Sequence, residues 1–233
     1  LVPELSHLAA AHDDDLGAHR ILELENAMKV IGVKDHRFLG NYRDSGMMGT
    51  DPNNRPECFW QADLDEAALK LVNIIREVKP QVLITYDEFG GYGHPDHIQT
   101  HRVAMRAAEI SNHNIQKIYW NIMPKSVVAK GIEAMKAQGS DFFGAENVDD
   151  LPFVKDDSFV SALVHAPEQV EKKMAAMKAH ATQITVDGPF FALSNNLGVQ
   201  VFGDEYYTLV KGTKSAPFNE DNFETDLFSG VKL

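Results

Sequence analysis

The segment Gly90-Gly91-Tyr92-Gly93-His94-Pro95-Asp96-His97 holds the residues of this chain best suited to chemistry. Imidazole is the commonest protein ligand for metals and the side chain that exchanges its proton near neutral pH. His94 and His97 lie three apart, so on a starting helix they project from one side. A bare pair at that spacing is common on solvated surfaces, and a metal site needs three or four ligands. The setting sharpens the reading, because a glycine-rich loop between a strand and a helix is where open α/β sheets place ligands. Glycine lets the backbone bend and approach a ligand closely. The segment reads as half of a metal-dependent hydrolytic site. His101, four residues beyond His97, reads as a helix-surface or supporting histidine.

Two elements must position that loop. Val82-Leu83-Ile84-Thr85-Tyr86 is an apolar run that reads as a buried strand, and residues 97–109 read as the helix that follows, with Pro95 suited to its first turn. A second strand is expected at Lys117-Ile118-Tyr119-Trp120-Asn121-Ile122, which makes the pair a parallel crossover unit. Upstream, Asp63-Leu64-Asp65-Glu66 reads as a capping box. It starts a helix that carries Ala67, Leu69, Leu71, Val72, Ile74, Ile75 and Val78 toward the sheet and ends before Pro80. Further helices are expected over residues 16–30, 126–137 and 167–181, and further strands over 158–165 and 206–210. Residues 139–157 form a polar stretch. The alternation predicts an α/β domain with three layers around a mostly parallel sheet.

The composition permits such a domain and excludes others. A chain of 233 residues with 44% hydrophobic content can bury a substantial core as one domain. The formal charge of −12, with no clustered basic stripe, argues against a nucleic-acid surface. No apolar run approaches transmembrane length, so no membrane partner is expected. Cys58 stands alone, which rules out an internal disulfide and fits a reducing cytoplasm. Its neighbour Trp60 suggests a packed position for it.

Tyr86-Asp87 followed by Gly90-Gly91-Tyr92-Gly93-His94-Pro95-Asp96-His97-Ile98 resembles a signature of the zinc-dependent GlcNAc-PI de-N-acetylase-like (PIG-L, or LmbE-like) deacetylases. Tyr42-Arg43-Asp44-Ser45-Gly46-Met47, His180-Ala181-Thr182-Gln183, Leu193-Ser194-Asn195-Asn196-Leu197 and Asp204-Glu205-Tyr206-Tyr207 agree in order. The resemblance runs from about Leu16 to Leu227 and implies a Rossmann-like sheet. It is strongest to the branch that removes acetate from N-acetylglucosaminyl-inositol in mycothiol biosynthesis. Gly93 before His94 favours that branch over the mycothiol S-conjugate amidases, which usually have proline there. The implied partner is a small glycosyl-inositol, and self-association is left open. The implied cofactor is zinc, with ferrous iron as the alternative.

The resemblance also implies roles. His97 is the zinc ligand, and His94 is the neighbouring histidine that steadies the tetrahedral intermediate or protonates the leaving amine. Tyr92, on its glycine-flanked loop, either turns its hydroxyl toward the oxyanion or packs the loop on the sheet. Asp96 is expected to orient a histidine rather than to bind zinc. Asp44 is expected to accept hydrogen bonds from sugar hydroxyls, the plainer alternative being an Asp-Ser-Gly turn capped by its own carboxylate. Arg43 is a weaker substrate-binding candidate beside it. His180 is kept as a rim residue of the site, and Ser194-Asn195-Asn196 as a structural turn.

One departure bears on the ligand set. The family's first signature, Ala-His-Pro-Asp-Asp-Glu, supplies the other zinc ligands and the general base. Ala11-His12-Asp13-Asp14-Asp15 imitates it, but no apolar strand precedes it and it runs straight into a helix whose first turn suits acidic residues. The expectation is therefore a solvated helix start here, a true motif and first strand upstream of Leu1, and a chain that forms one N-terminally incomplete domain. A non-catalytic, sugar-binding relative without zinc is the reading from a different class.

Overall fold

A computed structural model of the chain describes residues 13–137, 145, 147–184 and 203–232. His12 and the turn Ser194-Asn195-Asn196 lie outside the described residues. The strands β1 (Val82–Tyr86), β2 (Lys117–Ile122), β3 (Ala162–His165) and β4 (Asp204–Lys211) form one sheet in the order β1-β2-β4-β3. β1 and β2 run parallel, in register from Val82 opposite Lys117 to Tyr86 opposite Asn121. They are joined through α3 (Pro95–Ile110), as the crossover reading expects. β4 runs antiparallel to β2, so among the described strands the sheet is mixed, and the expected parallel pairing is met by β1 with β2. Residue types do not encode this difference, because a ladder's direction follows from how the chain returns to the sheet.

Side-chain alternation along the strands decides what lies on each face. Leu83, Ile118 and Val210 pack into one cluster with Ala68, Val72 and Ile75 of α2 (Leu64–Val78) and Ala107 of α3. Val82, Tyr119, Tyr207 and Leu209 pack on the opposite face with Ala162, Val164 and Leu227. α2 begins as its sequence requires, with the Asp63 carboxylate accepting a hydrogen bond from the Glu66 amide at 2.8 Å. It buries a narrower stripe than the seven expected residues. Leu69 and Val78 are exposed, because one face of a helix cannot hold so broad a set.

The chain divides into two compact units. One comprises residues 38–129, 147–164 and 205–233 and carries the sheet core and the histidine loop. The other comprises residues 1–37, 130–146 and 165–204. In it α1 (Asp13–Ile31) packs on the helix Val170–Ala179. Glu23 of α1 there accepts bonds from the Thr182 amide at 2.7 Å and hydroxyl at 2.8 Å. The backbone of Asp13-Asp14-Asp15 opens α1, in keeping with a helix start. No described helix is long and apolar enough to cross a membrane.

Candidate active site

At the carboxyl end of β1 the chain makes a tight glycine turn before α3. Gly90 and Gly91 have φ of +70° and +74°. A Cβ on Gly90 would lie 2.6 Å from the Ile98 amide nitrogen and 2.9 Å from His97 carbons, so no side chain fits there. That close approach brings the Gly90 carbonyl to 3.1 Å from His97 Nδ1. Buried Asp87 holds the turn from the strand side, accepting a bond from the Gly91 amide at 2.9 Å.

Both histidines are held at Nδ1, in opposite hydrogen-bonding senses. A carbonyl only accepts, so His97 Nδ1 carries the hydrogen and its Nε2 keeps a lone pair. Burial, together with neighbouring His94, lowers the His97 pKa and favours that neutral ring, against the opposing Gly90 bond. His94 is the N-cap of α3, and its Nδ1 accepts from the Asp96 amide at 3.1 Å. In the neutral ring its Nε2 therefore carries the hydrogen. The two imidazole centroids are 5.1 Å apart. Tyr86 stacks on His97 at 4.2 Å, with its hydroxyl 3.5 Å from Nε2. Tyr92, 42% exposed, meets His97 edge-on at 5.0 Å and His94 at 6.2 Å. Burial, and the charges of Asp44 and Asp96, raise its pKa and keep the phenol a donor. His101 lies a turn deeper, with Nδ1 2.9 Å from the Tyr86 carbonyl and its ring edge-on to Trp120. It thus ties α3 to β1, a supporting place.

A second loop closes on this turn. Fully buried Ser45 donates to the Asp96 carboxylate from its amide (3.1 Å) and from its hydroxyl. The bonds of the Asp96 carboxylate thus run to Ser45, where a histidine was the expected partner. The Ser45 hydroxyl accepts from the Trp60 amide at 2.9 Å, and the buried Asn53 amide group donates to the Ser45 and Met47 carbonyls. Cys58 is fully buried beneath the same loop. These bonds set Asp44 beside the histidines. Asp44 is exposed and also accepts from the Gly46 amide at 2.7 Å, so the turn reading and a place at the site hold together. Arg43 is exposed on the same loop, its backbone bridged to Cys58. His180 caps the end of Val170–Ala179, in the other unit.

Single ligand-type atoms of Asp44, His94 and Asp96 lie within 4.8 Å of one another, the donor chemistry of a zinc or ferrous site. Yet Asp96 is already engaged by Ser45, and His94 Nδ1 by the Asp96 amide. His97 Nε2 has the form of a ligand nitrogen, its other ring nitrogen being fixed by a backbone carbonyl. The sequence reading passed over Ser45, Asn53 and Asp87. Ser45 and Asp87 do sit inside the quoted motifs, but Ser45 bonds Asp96 far away in sequence, and the bond from Gly91 to Asp87 depends on the shape of the turn between them.

A model of the family described as GlcNAc-PI de-N-acetylase (PIG-L) matches residues 4–108. The 1D-myo-inositol 2-acetamido-2-deoxy-alpha-D-glucopyranoside deacetylase of Geodermatophilus obscurus is 54% identical, over 99% of this chain and 83% of that protein. The enzyme of the same name from Acidothermus cellulolyticus is 55% identical over 100% of this chain and 81% of its own length. Deacetylase 1 of Catenulispora acidiphila is 51% identical over 100% and 76%.

Proposed function

Because the chain belongs to the GlcNAc-PI de-N-acetylase (PIG-L) family, we propose that it hydrolyses the N-acetyl group of a glucosaminyl-inositol, as in mycothiol biosynthesis. The observation that carries this reading is that relatives about half identical over nearly the whole chain share that one deacetylase name. Amide hydrolysis needs an activated water, a polarised carbonyl, a stabilised oxyanion and a proton for the amine. A bound zinc or ferrous ion supplies the first two. His97 would hold it through Nε2, with the glycine turn keeping that nitrogen's lone pair available. His94 presents Nε2–H to the carbonyl oxygen as charge develops there, and the Tyr92 phenol adds a second donor from its exposed loop. Asp44 accepts hydrogen bonds from the sugar hydroxyls, with Arg43 beside it. Asp96 acts through Ser45, holding the Asp44 loop against the start of α3.

Acetate release from N-acetylglucosaminyl-inositol, amide cleavage of a mycothiol S-conjugate and bound metal per chain test this together. The acetylated glycoside is expected to be the better substrate. His97→Ala should lose the metal. His94→Ala should keep it and lose roughly 10²–10⁴-fold in kcat. Metal kept in His97→Ala but lost in His94→Ala would move the ion to the Asp44–His94–Asp96 group. Turnover of the conjugate alone would make the chain an amidase, and sugar binding with no turnover would make it a non-catalytic relative.

A further inference from the structure

At the loop end of β1, the Asp87 side chain is nearly sealed from water, at 2% exposure. A buried carboxylate persists only when it is paired and hydrogen-bonded. One of its oxygens takes the Gly91 amide at 2.9 Å, and the other meets the Lys155 ammonium at 3.1 Å. Lys155 also reaches Glu88 at 2.9 Å. Burial works against its charge, yet the bonds to Glu88 and Asp87 hold its pKa up. Its backbone is equally tied. The Lys155 amide donates to the Met123 carbonyl at 3.0 Å, and its carbonyl accepts from the Lys125 amide at 2.8 Å. Lys155 is therefore stitched to the chain leaving β2, while its side chain reaches across to the chain leaving the adjacent parallel strand β1.

We propose that Asp87 and Lys155 are positioning residues of the hydrolytic site: the ion pair between buried Asp87 and half-buried Lys155 sets the Gly90-Gly91 turn and, through the Gly90 carbonyl, fixes the tautomer and aim of His97. The chain of contacts is short. Asp87 bonds the Gly91 amide, and its own carbonyl takes the Gly90 amide at 3.0 Å. The peptide between those two glycines carries the Gly90 carbonyl that holds His97 Nδ1. Gly90 and Gly91 resist no rotation through side chains of their own, so this turn takes its shape from what binds its amides. Tyr92 follows Gly91 directly and inherits the same orientation. The Asp87 carboxylate bonds Gly91 and Lys155, and the Lys155 ammonium bonds Asp87 and Glu88, so the path from this pair to His97 runs through the turn.

This inference rests on reading that turn as part of the deacetylase site, and the test separates the two. Lys155→Met strands the Asp87 carboxylate, whereas Asp87→Asn with Lys155→Met removes both charges and leaves an amide oxygen for Gly91. Lys155→Arg keeps the charge. Ring ¹⁵N shifts of His97, measured without substrate, are expected to report the Nδ1–H tautomer in the parent and in Lys155→Arg. Lys155→Met should show a mixture and the double variant a return to Nδ1–H. In turnover, Lys155→Met should lose about 10–100-fold in kcat with KM little changed, the scale seen when groups supporting a ligand histidine are removed. The double variant should recover most of it. A His97 tautomer unchanged in Lys155→Met, or a double variant no better than the single one, overturns the inference. A parent without deacetylase activity would sink the proposed function, while the His97 shifts would still decide the clasp.

Discussion

Whether Nδ1 of each histidine donates to the backbone or accepts from it governs the chemistry left at Nε2. His97 gives Nδ1–H to Gly90, and His94 receives the Asp96 amide on Nδ1, so two histidines three apart offer a lone pair and a donor to the same space. Burial lowers the His97 pKa below its usual value of 6.5. Above that pH the ring is neutral in both folded and unfolded chain and stability does not depend on it. As pH falls below 6.5 the unfolded chain takes up the proton first, so stability is lost down to the folded pKa. Metal-free parent protein should therefore lose melting temperature faster below pH 6.5 than His97→Gln. Parallel profiles would show that His97 does not carry this linkage. The spacing of His94 and His97 was legible in the sequence. Their tautomers were not, because each depends on a backbone group placed by the turn.

Elements with strong local signals form where the sequence places them. Asp63 caps α2 through the Glu66 amide, and Asp63→Ala should cost about 1 kcal/mol in chemical denaturation without altering metal binding. A loss near zero would mean that packing alone holds the start of α2. β1 and β2 span the expected residues, since short runs rich in β-branched and aromatic side chains between turn signals favour a strand over a helix. β3 is shorter than expected. Asp156 accepts from the Ser158 amide at 3.0 Å and hydroxyl at 2.6 Å, which draws residues 157–159 into a 3₁₀ turn before the strand can begin. The expected helix over 167–181 likewise opens as a 3₁₀ turn at Pro167–Gln169 and is α-helical only from Val170 to Ala179.

Across the whole molecule, the least predictable feature is a charge inside the sheet face opposite α2 and α3. Lys117, 3% exposed, pairs with fully buried Glu224, which also accepts from the Tyr119 hydroxyl and the Ser215 amide, each at 2.7 Å. That cluster fastens the C-terminal segment to β2. Removing one member leaves the other charge without compensation, so Lys117→Met should cost about 3–5 kcal/mol by denaturant unfolding. Adding Glu224→Gln should restore part of that stability. A single-variant loss below about 1 kcal/mol would mean that water reaches Glu224 and the clasp is not closed. Read along the chain, Lys117 is simply the polar first residue of a strand, because its partner lies 107 positions away.

The elements around the site, its glycine turn, its histidine pair and, through motif order, its family are all legible in the order of residues. Those depend on local rules such as side-chain period, capping and the conformational freedom of glycine, and on short motifs read within one stretch of chain. The antiparallel return of β4, the Ser45–Asp96 bond, the Asp87–Lys155 pair and the Lys117–Glu224 clasp emerge from packing in three dimensions. Each joins groups distant in sequence, and buried polar groups take whichever partner the packed fold brings within reach.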